Sequence, residues 1–376
     1  MRVLHLFSNA KWTGPAEPAL NLCVALRARG VETDFACAPD AGASVNKVVE
    51  TARDRGIEPI LQFHLSKHRR PIKNLADRLA LARYLRAHPY DLIHCHLDND
   101  HRIAAPVGRE LGIPLVRSSY EGTGFQHKRT YVKLLPRTAW LIEPSNLAAE
   151  HDAEVYGFPR ERMRVIPGAV DTERFDPQRE APDARRWLGI PHDAFVAGIV
   201  ARLQPHRRYE DFFGALRLLV DAVPNVRAIV VGRGANHDEV ARKPIQALGL
   251  APFVHLPGYV GGENYVGMLK AFDAKVYLAP GSDGTCRAVR EAMAMGKPAV
   301  VADRGMLREI VDDGTTGIAF DGTPEALFGA LRRLASDRQR TRAMGCAARE
   351  KALRDYSLPV QARAVLDVYH AVLGLR

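Results

Sequence analysis

The chain has 376 residues, which is enough for two hydrophobic cores of ordinary size. A hydrophobic content of 47% is typical of a globular protein, and the net charge is +10. Five scattered cysteines without a C-x-x-C pair argue against a disulfide framework or a zinc knuckle. The chain starts without a signal-like apolar stretch and contains no run of about 20 apolar residues. We therefore expect a cytoplasmic protein that contacts a membrane, at its inner face, only peripherally.

Strand-like and helical segments alternate along the first half of the chain. Strands are predicted at residues 2–7, 34–38, 91–95 and 115–118, and helices at residues 17–29, 44–55 and 102–111. This alternation predicts an α/β domain in which crossover helices join the strands of a parallel sheet.

The pattern fades over a segment rich in Pro, Asp and Arg and then resumes. We predict an amino-terminal domain at residues 1–168, a linker at 169–190, a carboxyl-terminal domain at 191–355 and a closing helix within 356–376. The strands predicted after the linker are residues 195–200, 227–231, 253–255, 274–278 and 299–301.

The segment at residues 278–301, LAPGSDGTCRAVREAMAMGKPAVV, carries the strongest functional signal. A strand enters a glycine-broken loop that leads directly into a helix, so the N–H groups of Gly284, Thr285 and Cys286 and the positive helix end could hold a phosphate. Asp283 and Glu291 lie eight positions apart, about two turns at ~3.6 residues per turn. They could then bind sugar hydroxyls.

A solvated helix face is the plain alternative for two carboxylates at this spacing. The small, apolar sequence EAMAMGKPAVV around Glu291 favours a packed helix instead. A buried Glu291 would need a partner that offsets its loss of hydration.

A second group of polar residues follows the strand predicted at residues 195–200. Arg202, His206, Arg207 and Arg208 occur within one short loop after that strand. Ligands of open parallel sheets bind at the carboxyl ends of the strands, and guanidinium groups suit a diphosphate. An ordinary surface loop rich in arginine is the alternative.

Histidines and acids also gather at the end of a strand in the first half. His94 and His96 should point to one side, and Asp98, Asn99 and Asp100 follow in the loop. Metal ligation would need several such groups to converge, so we favour polar groups lining a binding site and predict no metal.

Taken together, these segments resemble the retaining glycosyltransferases of family four, which have the GT-B fold and use nucleotide-sugar donors. The likeness covers nearly the whole chain. It includes RVIPGAVDTERFDP at residues 164–177, AIVVGRGA at 228–235, LPGYV at 256–260 and GMLREIVDDGTTGIAF at 305–320.

The resemblance implies two Rossmann-like domains whose parallel sheets face each other across a cleft. The amino-terminal domain would bind the acceptor and the carboxyl-terminal domain the nucleotide sugar. The closing helix would cross back onto the first domain.

The resemblance also assigns roles to residues of the second half. Arg202 and Arg207 match the basic pair that holds the donor diphosphate, although Arg207 stands where Lys is usual. Glu291 matches the carboxylate that takes the ribose hydroxyls. Asp283 matches the sugar-binding glutamate and is one methylene shorter. Glu309 aligns with a further carboxylate, which a favourable charge at a helix start explains equally well.

Other positions are less explicit. Tyr120 falls where many relatives have a histidine near the donor sugar, and Glu121 follows it; with His96 these residues would lie on the acceptor side. Tyrosine is a poor base near neutral pH, so a step that depends on that histidine is in doubt. Gly14 is what remains of a double-glycine turn. Gly258 lies in a segment that usually holds the nucleobase.

The mechanism implied is transfer with retention, in which a diphosphate oxygen of the leaving group accepts the acceptor's proton. It requires no strong base, no metal and no other cofactor, because cations and loop amides stabilise the departing diphosphate. The acceptor would be a hydroxyl of a glycan or of a lipid-linked molecule, in polysaccharide or glycolipid synthesis.

The positive charge leaves other partners open. KHRRPIK at residues 67–73 and HKRTYVKLLPR at 127–137 suit an anionic membrane surface, a nucleic acid or plain solvation, and we favour the first over nucleic acid. A further alternative is a binding protein that keeps the scaffold but has lost turnover, given the departures at Asp283, Arg207 and Tyr120.

Overall fold

A computed structural model describes residues 1–39, 45–126 and 129–375 of the chain. The chain forms two compact units. Unit 1 consists of Met1–Gly168, Ser282–Gly284 and Leu358–Arg376, and unit 2 consists of Ala169–Gly281 and Thr285–Ser357.

Unit 1 is built on a six-stranded sheet whose strand order is β2-β1-β3-β4-β5-β6. Every neighbouring pair runs parallel, as the alternation predicts. The strands are β1 Arg2–Phe7, β2 Glu32–Cys37, β3 Leu92–Cys95, β4 Leu115–Ser118, β5 Trp140–Glu143 and β6 Met163–Val165.

Helices pack against this sheet and connect its strands. They are α1 Ala16–Arg27, α2 Lys47–Asp54, α3 Pro71–Ala87, α4 Asp98–Leu111, α5 Arg129–Leu134 and α6 Asn146–Tyr156. Of the sequence predictions, Ser44 at the start of the helix at 44–55 and His127 and Lys128 of the second basic segment lie outside the described residues.

The closing helix, α15 Leu358–Leu373, belongs to unit 1. Its residues Ala362, Val365 and Val368 are buried in one cluster with residues of β1 and α1. Its Tyr369 is also fully buried, and the Tyr369 hydroxyl forms a hydrogen bond with the ring of His94 on β3.

Unit 2 repeats the architecture with a second six-stranded parallel sheet of order β12-β11-β10-β7-β8-β9. Its strands are β7 Phe195–Val200, β8 Val226–Val231, β9 Val254–Gly258, β10 Ala274–Tyr277, β11 Ala299–Ala302 and β12 Gly317–Phe320. The strands are short apolar runs, because helices cover both faces of the sheet.

The helices of unit 2 complete the list of elements. They are α7 Ala184–Trp187, α8 Tyr209–Ala222, α9 Lys243–Ala247, α10 Gly262–Ala271, α11 Asp283–Ala294, α12 Leu307–Ile310, α13 Pro324–Ser336 and α14 Arg338–Asp355. The first two residues of α11 belong to unit 1.

Residues 169–190, predicted as a linker, are part of unit 2. Val170, Phe175, Ala184 and Ile190 are buried in its larger core cluster. The high Pro, Asp and Arg content therefore reflects irregular backbone packed on a core, because isolated apolar side chains at wide spacing give no helix or strand period.

Among the described residues, no helix is both long and apolar enough to span a bilayer.

Candidate active site

Arg202 and Arg207 lie in the loop that follows β7, as the sequence predicts. Arg202 is exposed, and Arg207 closes a single 3-10 turn, Pro205–Arg207. Arg207 Nη1 donates a 2.8 Å hydrogen bond to the hydroxyl of Tyr277, the last residue of the neighbouring strand β10. Its buried Nε has no partner within the described part of the chain. Part of this guanidinium is therefore fixed at the end of the sheet while another donor stays available.

Arg208 makes the sharp change of direction between this turn and α8. Its φ of 58° lies in the left-handed region, where glycine is favoured, and its side chain pairs with Asp211. Sequence reasoning treated Arg208 only as a cation. The positive φ is a conformational demand that the neighbouring residues do not reveal.

Glu291 is buried on α11, and two partners compensate for its burial. Its Oε2 accepts a 2.5 Å hydrogen bond from the Tyr265 hydroxyl, and its Oε1 lies 3.1 Å from Arg287 Nε. Burial, then the charge of Glu291, raises the pKa of Tyr265 well above its usual value, so this hydroxyl remains a donor. The expectation that Glu291 is packed and needs a partner is confirmed.

Lys275, in the middle of β10, was missed from the sequence. It is influenced by charges from both segments, the one that carries Arg207 and the one that carries Glu291. It is fully buried, and its Nζ donates to the carbonyl of Val276 at 2.7 Å. Burial lowers the pKa of Lys275 to about 7, with the charges of Glu291 and Arg207 acting in opposite directions on it. Glu291 and Arg207 are thus both close enough to influence one lysine. The signal available in the sequence was a lysine inside the apolar run AKVYLAP.

Helix α11 follows the loop after β10 directly, as predicted, but Gly284, Thr285 and Cys286 lie within the helix and not in that loop. Helix α11 begins at Asp283, so the N–H groups of Gly284, Thr285 and Cys286 lie in its first turn, where amides have no partner within the helix. Cys286 is buried.

Asp283 belongs to unit 1, whereas Glu291, with which the sequence analysis paired it, belongs to unit 2. Its N–H donates to the Tyr120 carbonyl at 3.1 Å, and its Oδ1 accepts from the Gly168 N–H at 3.1 Å. A Cβ at Gly168 would lie 2.2 Å from Asp283 Oδ2, so this carboxylate explains the glycine in the segment RVIPGAV. Gly14 lies against Gly284, whose Cβ would come 3.2 Å from it.

Gly258, Glu309 and Glu121 complete the predicted positions. Gly258 ends β9 with a φ of 77°, and Glu309 is exposed in the short helix α12 after β11. Glu121 is exposed directly after Tyr120.

Three buried histidines form a hydrogen-bonded cluster in unit 1. His5 Nδ1 lies 3.0 Å from His96 Nε2, and His96 Nδ1 lies 2.7 Å from the Tyr120 hydroxyl. His94, whose ring stacks on His96 at 4.5 Å, bonds to Ser118 Oγ at 2.8 Å and to the Tyr369 hydroxyl at 2.5 Å. The chain from His5 through His96 therefore holds the Tyr120 hydroxyl in place.

Burial keeps this cluster neutral. It lowers the pKa of His5 to about 3 and the pKa values of His94 and His96 well below the usual range. Burial raises the pKa of Tyr120, so its hydroxyl also stays protonated. One ring nitrogen from each histidine lies within 4.8 Å of the others, a distance at which a metal could be considered.

Unit 1 also contains two buried acids, Asp100, which the sequence analysis placed among the polar groups of the loop, and Glu143, which it missed. Burial, then the charge of Asp152, raises the pKa of Glu143 at the end of β5. Burial raises the pKa of Asp100 to about 7, although its carboxylate accepts from the amides of Ser8 and Leu97. Single acids after a strand are common, so the sequence had no means of marking them as buried.

Comparisons with known proteins agree with the sequence resemblance. Residues 13–174 match the model of Glycosyltransferase Family 4, and residues 180–351 match the model of Glycosyl transferases group 1. The chain belongs to this glycosyltransferase family.

Curated relatives show the same relationship. A D-inositol 3-phosphate glycosyltransferase of Streptomyces avermitilis is 27% identical over 308 residues, which cover 76% of this chain and 66% of the relative. A GDP-mannose-dependent alpha-(1-6)-phosphatidylinositol dimannoside mannosyltransferase of Mycobacterium tuberculosis is 31% identical over 250 residues, 62% of each chain. The match thus spans about two thirds of these relatives' length.

Solved structures agree on the fold. Anabaena HepE, in complex with UDP and glucose, superposes with a TM-score of 0.80 at 20% identity over 99% of this chain and all of its own. With two parallel six-stranded sheets flanked by helices, the chain has the GT-B fold. It is a glycosyltransferase.

Proposed function

We propose that this glycosyltransferase moves a sugar, with retention of configuration, from a nucleotide diphosphate to a hydroxyl of a glycan or lipid-linked acceptor. The observation that carries the proposal is in unit 2, where Tyr277 at the end of β10 fixes the guanidinium of Arg207 and α11 carries the buried Glu291. A cation, a sequestered carboxylate and helix-end amides are the groups that a sugar nucleotide needs for its phosphates and its ribose.

In this proposal Arg202, Arg207 and the first-turn amides of α11 bind the diphosphate and stabilise its charge as it leaves. Tyr277 supports the role of Arg207, because it fixes one edge of the guanidinium and leaves the buried Nε without a partner in the described residues. Glu291 takes the ribose hydroxyls, and Tyr265 and Arg287 hold it in position.

Unit 1 would supply hydrogen bonds rather than charge. The hydroxyl of Tyr120, held by His96 and through it by His5, can bond to a sugar or acceptor hydroxyl but cannot act as a strong base. A neutral network is compatible with retention, in which the leaving diphosphate takes the proton. Asp283 would bind the sugar with the carboxylate that Gly168 orients.

We propose that turnover needs no metal. The three histidine rings are stacked or tilted, with His94 and His96 only 15° from parallel, so their nitrogen lone pairs lie in separate layers rather than converging. Both ring nitrogens of His94 and of His96 are also within hydrogen-bonding distance of protein atoms. Arginines and amides supply the positive charge at the diphosphate.

The base of the donor follows from a binding test. UDP binds HepE, and a relative uses GDP-mannose, so both nucleotides are candidates. A thermal-shift panel of UDP, GDP, ADP and TDP should give one clear stabilisation, since a ligand stabilises the folded state in proportion to the logarithm of its excess over Kd. We expect Glu291→Gln to reduce that shift and Arg217→Ala, an arginine paired with Asp221 on α8, to leave it unchanged.

Turnover then separates an enzyme from a binding protein. The nucleotide sugar of the preferred base should be hydrolysed slowly, or transferred to a polyol or glycolipid acceptor, without added metal and in the presence of chelator. A protein that binds a nucleotide but neither hydrolyses nor transfers any sugar would refute the catalytic proposal. A requirement for metal would refute the proposed mechanism.

We also propose that the protein works on the cytoplasmic side of the membrane, against anionic lipid, and not on nucleic acid. The five cysteines are free thiols, four of them buried, as expected in a reducing compartment.

A further inference from the structure

Helix α3 has an unusual orientation in its first turns. Surface helices bury apolar residues and expose polar ones, but α3 turns Asn74 and Asp77 inward. Asn74 bonds to Asn99 at 2.7 Å, and Asp77 accepts from the amides of His64 and Leu65. These inward polar groups are satisfied, so the orientation is a stable feature of the fold.

The outward face of α3 is correspondingly apolar. Ile72, Leu75 and Leu79 are 86%, 58% and 63% exposed. At about 100° per residue these three side chains fall within an arc of roughly 60°. On α5, whose Thr130 contacts Arg102, Val132 is a further aliphatic side chain that is 56% exposed. A run of large aliphatic residues on one face marks a contact surface rather than chance exposure.

The segments that carry these aliphatic side chains are rich in basic residues. Residues 67–87 contain seven lysines and arginines, and Asp77, which is buried, is the single acid among them. Residues 129–137 add three cations and no acid. Acidic residues balance some of these cations. Arg86 pairs with Glu110 at 2.6 Å, and the charge of Asp98 acts to raise the pKa of Arg102.

Arg78 of α3 and Arg102 of α4 are both half-buried and lie close together. Arg78 Nη2 donates to the Arg102 carbonyl at 3.0 Å, and both Nη atoms of Arg102 lie 3.2 Å from Thr130 Oγ1. The buried Nε atoms of Arg78 and Arg102 have no partner among the described residues. Burial, then like charge from other arginines including Arg69, lowers the pKa of both. A bound anion would offset the repulsion between these like charges and accept hydrogen bonds from the two Nε atoms.

We propose that the α3 face, defined as Ile72, Leu75 and Leu79 with Val132, Arg78 and Arg102, docks on a bilayer containing anionic phospholipid. The aliphatic side chains would enter the boundary between headgroups and acyl chains, and the arginines would bind lipid phosphates. A nucleic acid would use the cations but would leave an aliphatic stripe in water, so the combination favours the lipid surface. The inference deepens the proposed function, because a lipid-linked acceptor would be presented at this surface.

Vesicle flotation tests the docking without any donor or turnover, so its failure is separate from failure of the enzymatic proposal. The full chain is mixed with vesicles of phosphatidylcholine alone or of phosphatidylcholine with phosphatidylglycerol. We expect binding to the mixed vesicles, weakening as salt rises, and little binding to phosphatidylcholine.

Two variants separate the contributions of the aliphatic side chains and of the arginines to vesicle binding. The triple variant Ile72→Ser, Leu75→Ser, Leu79→Ser should lose binding at all salt concentrations. Arg78→Gln with Arg102→Gln should weaken it roughly 25-fold, the product of about fivefold for each arginine. Melting temperatures of both variants establish that they are folded.

Matched controls replace residues of the same type elsewhere. Leu218→Ser, Leu353→Ser and Val360→Ser remove aliphatic side chains that are 40–43% exposed, and Arg332→Gln with Arg342→Gln removes two exposed cations. Both should bind vesicles like the wild type.

Several results would overturn the proposal. They are absence of wild-type binding to mixed vesicles, equal loss in the controls, and full displacement by soluble glycerol phosphate, which would indicate a site for a free phosphate. Tighter binding to duplex DNA than to vesicles at physiological salt would point to a nucleic acid instead.

Discussion

The two units share one architecture, but the histidine cluster of unit 1 and the Glu291 site of unit 2 treat buried ionisable groups in opposite ways. In unit 1 burial holds His5, His94 and His96 neutral, and burial raises the pKa of the nearby acid Glu143. In unit 2 the buried Glu291 is accompanied by a cation, Arg287, and by a donor hydroxyl. The first site is thus a neutral hydrogen-bonding network, and the second is a set of compensated charges.

This difference shows that the fold supplies positions and the local partners decide the chemistry. A neutral network suits the hydroxyl groups of sugars and acceptors. Compensated charges suit a nucleoside diphosphate, whose charge must be matched as it leaves. The predictions below test this division, from the largest effect to the smallest.

Removing a diphosphate cation of unit 2 should have the largest effect. Arg207→Ala should lower turnover by about two to three powers of ten, the usual cost of losing one charge-stabilising donor. The measurement is kcat with a donor already proven for the wild type. Arg217→Ala is the matched control, and wild-type turnover in Arg207→Ala would refute the assignment.

Acid should weaken unit 1 before unit 2. His5, His94, His96 and His101 have pKa values lowered by burial, so below pH ~6.5 the unfolded state binds protons that these folded histidines do not. The raised pKa values of Asp100, Glu143 and Asp152 offset part of this. The one unbalanced histidine implies a loss of about 1.4 kcal/mol per pH unit as pH falls toward 5.

Hydrogen exchange, corrected for the intrinsic effect of pH, can follow the two units separately. Protection of β1 and β3 should decline below pH 6.5 while β7 and β10 stay protected. His101→Gln should reduce the slope, and His88→Gln, at an exposed position, should not. Parallel loss in both units would contradict the contrast.

Neutralising Glu291 should affect donor binding more than catalysis. Glu291→Gln keeps the shape but loses the charged acceptor for ribose hydroxyls, so we expect the donor KM to rise about tenfold, or about 1.4 kcal/mol, with a smaller change in kcat. Tyr265→Phe, which removes only the supporting hydroxyl, should have a weaker effect in the same direction. An unchanged KM would remove Glu291 from the donor site.

Replacing the buried Glu143 of unit 1 with a neutral side chain should raise stability at high pH. Because the folded pKa of Glu143 is raised, its contribution to stability is present below its unfolded pKa and is lost as pH rises through the folded value. Glu143→Gln mimics the protonated acid, so at pH 8 we expect Tm to rise by about 2–4 °C, the shift for about 1 kcal/mol.

At pH 4 this gain should disappear. The groups that face Glu143 are Asp152, Ser119 and Arg117, and Asp152 is itself paired with His151 at 2.7 Å. Glu154→Gln, on the exposed side of α6, is the control. A gain that is equal at both pH values would mean that protonation of Glu143 is not the cause.

The smallest expected effect concerns backbone conformation in unit 2. Arg208→Gly relieves a left-handed residue, a gain of about 1 kcal/mol, but loses the partly exposed ion pair with Asp211, a cost of about 0–1 kcal/mol. We expect a net change within about 1 kcal/mol in urea unfolding, with turnover retained. Asn225→Gly, at a φ of 60°, should change less because asparagine tolerates this region. Loss of turnover would show that the Arg208 side chain contributes to the site.

Much of the sheet architecture could be predicted from local pattern. Strands β1, β4 and β7 have the predicted bounds, because buried parallel strands are uninterrupted apolar runs. Strands β5 and β6 and helix α3 were not predicted. The first turns of helix α3 place polar residues inward and aliphatic ones outward, so their periodicity contradicts the rule on which a prediction relies.

By itself, the sequence determined the order of strands and helices, the family, and the segments that carry Arg207, Glu291 and the amides before α11. These depend on neighbours along the chain. Only the tertiary structure decided that the charges of Arg207 and Glu291 act in opposite directions on the pKa of Lys275. It also decided that the Gly168 N–H holds the Asp283 carboxylate and that burial keeps three histidines neutral. Charge state and partner depend on burial among residues far apart in sequence, and local pattern carries no record of that environment.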